Sequence, residues 1–248
     1  MTEKPTQGKV DELRKALRID TPVIAVYDSS DTEAFAPIVR SGGTDCCFMY
    51  YQRWLKGDTL LLNTEGNGCP GGLYHLGLRD TIMPKIECFL TCGTDELRGE
   101  GLKASPEIAK ALFEKRNAVK PQSGNVLIGP LRLDRWDSVK TLSFFVDPDR
   151  MSALMTLSVY WSTINTVVAP FGSGCSLLWR AVEEHGGEKA VIGGTDIAMR
   201  RHLPPDTLVL TVSPQLFYQM VNVSPGSFLD RDWWATLLKV REKQRKQR

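Results

Sequence analysis

The sequence predicts an α/β fold, a layered sheet with flanking helices, on three observations. Buried-strand patterns alternate with helical ones along the chain, and a strand-Pro-helix unit occurs twice in the C-terminal half. The length is 248 residues and 42% of them are apolar, enough for one large domain or two small ones with a real core.

Residues 10–17 read as a short helix, and residues 22–27 as a buried strand ended by Asp28-Ser29-Ser30. Apolar spacing suits a helix over 47–56, stopped by Gly57; residues 58–63 then read as extended and 73–78 as helical. The stretch 93–123, with a helix over 106–116 and Pro121-Gln122-Ser123-Gly124, is the best internal sub-boundary of what is otherwise one domain over 1–248. Beyond it, Val126-Leu127-Ile128-Gly129 precedes a strand 141–147, as Val191-Ile192-Gly193-Gly194 precedes a strand 207–213. The two units are 66 residues apart. In each, Asp147 or Ser213 serves as N-cap, Pro148 or Pro214 takes the first helical position, and apolar side chains such as Met151 and Phe217 pack back on the sheet. Between the units, 165–169 reads as a further buried strand and 176–184 as an amphipathic helix. A terminal helix with a basic tail closes the chain over 231–248, docked by Trp233, Trp234, Leu237 and Leu238, its charged end solvated and frayed.

Charge excludes some classes of function. Six basic residues against Glu242 fill the last ten positions, and the rest of the chain carries 25 basic against 28 acidic residues. A slightly acidic body argues against a nucleic-acid partner. No apolar run approaches the roughly 20 residues of a membrane span, and the first ten residues carry no secretory signal, so the expected location is cytoplasmic, with no membrane partner. A homo-oligomer is left open.

Six cysteines, Cys46, Cys47, Cys69, Cys88, Cys92 and Cys175, are too sparse for a disulfide scaffold at this length. Cys47 opens an aromatic stretch, Cys69 sits in Gly66-Asn67-Gly68-Cys69-Pro70-Gly71-Gly72, and Cys175 in Phe171-Gly172-Ser173-Gly174-Cys175-Ser176. Both loops let backbone wrap closely around a bulky group and lead into helical runs whose N–H groups stabilise a thiolate. Cys88 and Cys92, four apart, lack the spacing of redox or zinc motifs. His75, His185 and His202 lack zinc-protease spacing, and His75 reads as a hydrogen-bonded helix residue. Gly172-Ser173-Gly174-Cys175 fits neither the P-loop nor the dinucleotide fingerprint, and Met151, Met155, Met199 and Met220 read as core.

The order of these features is a cysteine heading a helix that ends at Gly57, then Cys69-Pro70-Gly71-Gly72 with Leu76-Gly77-Leu78, then Gly129-Pro130-Leu131, Val146-Asp147-Pro148, Cys175 and the second strand-Pro-helix. It resembles the DUF169 (ArCR) family of archaeal and bacterial proteins over roughly residues 20–225. The resemblance implies family cysteines at Cys47 or Cys46, at Cys69 and at Cys175. It also implies one at the strand end that here reads Ile192-Gly193-Gly194-Thr195-Asp196, where this chain has none.

Three readings of the cysteines stay open: a metal or cluster site, inert core thiols, and thiol redox chemistry. The leading expectation is an iron–sulfur cluster, of the 4Fe-4S kind, on Cys47, Cys69 and Cys175, with Gly68, Gly71, Gly172 and Gly174 leaving room around it. Three thiolates leave one iron open, so the cluster serves electron transfer through a redox partner or binds a small anionic or sulfur-containing substrate. The alternative is a metal-free small-molecule binding protein whose glycine loops form the pocket.

Overall fold

The computed structural model describes residues 3–65, 68–114, 119–223 and 226–246. Gly66 and Asn67, residues 115–116 of the expected 106–116 helix, and Arg248 lie outside them. In chain order the elements are α1 (Gln7–Leu17), β1 (Ile24–Asp28), β2 (Ile38–Arg40), a 3-10 turn (Cys47–Tyr50), α2 (Tyr51–Leu55), β3 (Thr59–Asn63), α3 (Pro70–His75), α4 (Ile86–Phe89) and α5 (Pro106–Glu114). There follow β4 (Asn125–Pro130), β5 (Val139–Val146), α6 (Pro148–Ser158), α7 (Gly174–Leu178), α8 (Arg180–Glu184), β6 (Val191–Gly193), β7 (Leu208–Val212), α9 (Pro214–Val221) and α10 (Asp232–Lys246). Among the described residues, no helix is long and apolar enough to cross a membrane.

The fold is mixed α/β. Seven strands make one sheet in the order β2-β3-β4-β1-β5-β7-β6, parallel only between β2 and β3. Alternation along each strand divides the core in two. Ala25, Tyr27, Leu127, Leu142, Phe144, Leu210 and Val212 face a layer of α1, α6, α9 and α10, through side chains such as Leu13, Leu154, Phe217 and Trp234. Ile24, Val26, Val126, Ile128, Phe145 and Val209 face the opposite layer, built from the 3-10 turn, α2, α3 and α7. Burying one such large side chain contributes on the order of 2 kcal/mol. The second layer carries the cysteines.

The strand-Pro-helix repeat is present in the same secondary structure twice. The Asp147 carboxylate accepts from Arg150 N–H at 3.0 Å, and Ser213 Oγ from Leu216 N–H at 3.1 Å, with proline at the first turn of each helix. β5 and β7 pair antiparallel with Phe144 opposite Leu210, residues that are themselves 66 apart. The units are therefore related by a local two-fold axis through that pair, and α6 packs on α9 across it. The preceding strands do not share the relation: β6 pairs directly with β7, whereas β1 separates β4 from β5.

Three local expectations are corrected. Residues 165–169 are not a buried strand; they run mostly exposed outside the three-residue β6, with Val168 alone bridging Val191 and packing on Leu177, Ala181 and Val182. The 176–184 segment is not one amphipathic helix. It breaks at Trp179 (φ −141°, ψ −64°), whose buried indole donates to Glu183, and both halves are buried as far as Val182. In α10, Trp234 and Leu238 dock, one turn apart on one face, while Trp233 is 60% exposed and stacks on Phe228. The helix also runs into the basic segment instead of fraying, with Arg241 paired to Asp149 at 2.8 Å and Glu242 to Arg18 at 2.6 Å.

Asp28, at the end of β1, ties the 122–125 loop to the sheet. Its carboxylate accepts from the backbone N–H groups of Gln122 (2.8 Å) and Ser123 (3.0 Å), and Lys140 Nζ lies 3.6 Å away. Burial opposes the charge, but the hydrogen bonds from Ser123 and Gln122 outweigh it and hold the pKa below the usual carboxylate value. A carboxyl whose pKa is depressed by folding adds stability above its unfolded value, and that stability is lost as pH falls through the folded one. Asp28→Asn is therefore expected to cost about 2 kcal/mol at neutral pH, with the gap to the parent closing in acid. Urea unfolding of both proteins across this pH range measures it; a gap that does not change with pH excludes the charge as the cause.

Candidate functional site

Four cysteines from three separate stretches meet on the second face of the sheet. Cys46 and Cys47 open the 3-10 turn, Cys69 caps α3 ahead of Pro70, and Cys175 is the second residue of α7. The sulfurs of Cys47 and Cys175 lie 3.0 Å apart, and both thiols hydrogen-bond to Cys46. Cys69 is held beside them by backbone: its N–H donates to the carbonyl of Asp45, the residue before Cys46, at 3.1 Å. Gly72 lies between Cys69 and Cys175, where a Cβ would sit 3.4 Å from the Cys175 sulfur and 3.8 Å from Cys69 Cβ; one on Gly71 would sit 3.7 Å from the Cys69 sulfur. Gly77 fixes the end of this unit. It has φ +75°, and a Cβ there would overlap the carbonyl of Val119 at 1.9 Å.

The remaining glycines named from sequence do different work. Gly174 gives way to Phe48 and Met199, and Gly68 to Leu62 and Leu73, so both serve side-chain packing. Gly172 lines the pocket described below. The first N–H groups of α7 are largely engaged, Gly174 with Asp196 and Ser176 with Ser173, and offer less to a thiolate than its sequence suggests. Cys88 is half-buried on α4 and Cys92 exposed beyond it; neither lines the pocket.

The thiols share protons unequally. Accepting hydrogen bonds from Cys175 and Cys47 draws the Cys46 pKa far below the usual thiol value, against burial. Donating to Cys46 holds the proton on Cys175, donating to Cys175 and Cys46 holds it on Cys47, and burial pushes both the same way. Loss of a proton is thereby favoured at Cys46 over Cys47 and Cys175. Among the described residues, no three His, Cys, Asp or Glu side chains are grouped to hold a single metal ion. The 3.0 Å between the Cys47 and Cys175 sulfurs is also shorter than the about 3.8 Å that two thiolates take on a tetrahedral ion with bonds of about 2.3 Å.

Above the thiols opens a pocket of about 920 Å³ with Cys46, Cys69, Cys175, Gly71 and Gly72 in its floor. One wall comes from α4, α5 and their connection, which pack on each other and present Ile86, Phe89, Leu102 and Phe113. Phe171 and Met199 also line it, and Lys103, from the connection of α4 and α5, lies 4.0 Å over the Phe171 ring. Its ionisable groups besides the thiols are His75, Asp45, Glu100, Asp196, Arg201 and His202. Sequence reasoning set His75 aside, yet Cys69, Gly72 and His75 recur every three residues along α3 and all line the pocket, a spacing that was a usable signal. Arg201 and His202 lie on an isolated 3-10 turn, and no sequence pattern marks them.

The family model of DUF169, described as uncharacterised ArCR, matches residues 12–223 of the chain. No curated protein and no solved structure matches it.

Proposed function

With the chain a member of the DUF169 family, we propose that it binds an iron–sulfur cluster through Cys69, Cys175 and the Cys46–Cys47 pair, and takes a small substrate into the pocket above them. The meeting of four thiols from three distant stretches at the floor of an open pocket is the observation that carries this reading. The donor set suits such a group in kind, since its sulfurs are soft ligands and Gly71 and Gly72 keep the space beside them free of side chains; Cys47 and Cys175, 3.0 Å apart, would have to separate for both to bind it. A cluster bound there supplies one-electron transfer or an open iron for a sulfur or anionic ligand.

The residues of the chain do the rest. The Asp45 carbonyl and Gly72 set Cys69 against Cys175, and Asp196 anchors the Gly174 backbone. Phe48 and Met199, packed over Gly174, keep water from Cys47 and Cys175.

A second reading, metal-free binding in the same pocket, draws on the 3.0 Å contact between Cys47 and Cys175, two thiols packed as core. Anaerobic reconstitution with ferrous iron and sulfide separates the two. The cluster reading expects a brown protein with broad violet absorption and stoichiometric iron and sulfide. A colourless, iron-free protein after reconstitution overturns it in favour of the second.

A further inference from the structure

The pocket is far larger than a sulfide or a simple oxyanion needs, and most of its wall is apolar. Ile86, Phe89, Leu102, Phe113, Phe171 and Met199 all line it. A volume of about 920 Å³ lies at the upper end for sites that enclose a drug-sized molecule. Aromatic rings and methionine adapt to flat or chain-like bodies without offering them hydrogen bonds.

Charge is confined to the floor and rim. Asp196 is engaged, one oxygen with Gly174 N–H and the other with Ala198 N–H. Asp45 accepts the Tyr50 hydroxyl. The remaining carboxylate, Glu100, is exposed on the α4–α5 side. Among the described residues Arg201 makes no ion pair; its Nε donates to His202 Nε2 at 3.3 Å, which leaves the terminal guanidinium nitrogens without a carboxylate. Arg201 and His202 line the same pocket as Cys46, Cys69 and Cys175, so this basic corner shares the cavity with the thiols.

From this arrangement we propose that the ligand is an amphiphile with one anionic head and an apolar body, the head held by Arg201 and His202 beside the thiols and the body between Phe113 and Phe171. A carboxylate, sulfonate or phosphodiester head can satisfy the guanidinium, and the shared chemistry is a monoanion on an apolar frame. The inference rests on the preceding reading only for which end meets the thiols; the ligand class follows from the lining.

The test uses the iron-free chain of residues 1–248, so a failure of cluster binding leaves it intact. Anilinonaphthalene sulfonate serves as fluorescent probe, displaced in turn by decanoate, decanol and acetate. Saturable probe binding is expected, with decanoate displacing it about tenfold more strongly than decanol, and acetate not at all. Arg201→Met, at an exposed position, should bring decanoate down to the level of decanol and leave decanol unchanged. Equal displacement by decanoate and decanol, or an Arg201→Met variant that binds decanoate as the parent does, overturns the anionic head. Failure of both to displace the probe overturns the apolar body. Phe113→Ala should weaken decanoate and decanol alike, and its circular dichroism must match the parent's for that loss to count.

Discussion

Replacing Cys175 by serine is expected to leave the anaerobically reconstituted protein colourless and free of iron, whereas Cys88→Ser and Cys92→Ser keep full colour. Cys175 touches Cys47, hydrogen-bonds to Cys46 and lies over Gly72 next to Cys69, so it is in reach of all three other thiols. A hydroxyl is a harder, weaker ligand for iron, and no spare thiol stands near, since Cys88 and Cys92 are off the pocket. Cys69→Ser is expected to match it. The adjacent pair behaves differently: because both Cys46 and Cys47 reach the group, either single serine variant retains part of the iron and the double variant none. Iron and sulfide per chain measure this, with thermal melts to show that each variant folds. A Cys175→Ser protein holding parental iron contradicts the assignment.

Removing residues 233–248 is expected to cost about 5 kcal/mol or more, most of the net stability of an ordinary domain. The truncation takes Trp234 and Leu238 out of the first core, where they are 4% and 1% exposed, and frees the Ala16 carbonyl that accepts from the Trp234 indole at 3.0 Å. Removing only 241–248 loses the surface pairs of Arg241 with Asp149 and Glu242 with Arg18, together worth about 1 kcal/mol. The short truncation should lower the melting temperature by about 2–4 °C and the long one by more than about 10 °C. Similar losses from the two would mean that the charged segment, not Trp234, anchors the helix.

What the sequence made legible was local. Asp147-Pro148 and Ser213-Pro214 announce their helices because cap and first turn lie within four residues, and the strands before them are set by continuous apolar runs. The sheet order was not legible. Pairing β1 between β4 and β5 joins residues about a hundred apart, and no periodicity encodes that choice. Trp179 carries no helix-breaking signal; its indole is drawn into the core and the backbone yields. At the site, Cys69 and Cys175 stood out through their flanking glycines, though Gly68 and Gly174 turn out to make room for leucine, phenylalanine and methionine side chains. Cys46 and Cys47 could not be told apart because a 3-10 turn brings both to the group. The apolar wall was missed as part of the site: α4 is only four residues long, and α5, expected as a helix over 106–116, has an apolar face whose partner the sequence does not name.

That wall has a consequence for timing. α4 buries none of its residues, and the α4–α5 segment is fastened chiefly to itself, whereas the thiol floor belongs to the central core. A segment so held opens at a fraction of the free energy of global unfolding. The lining side chains and Arg201 then decide how tightly a molecule is held, and the fastening of the wall decides how long. Substitutions in α4 away from the lining, at Glu87 or Cys88, should alter dwell time while leaving equilibrium occupancy nearly untouched, because entry and departure pass through the same brief opening.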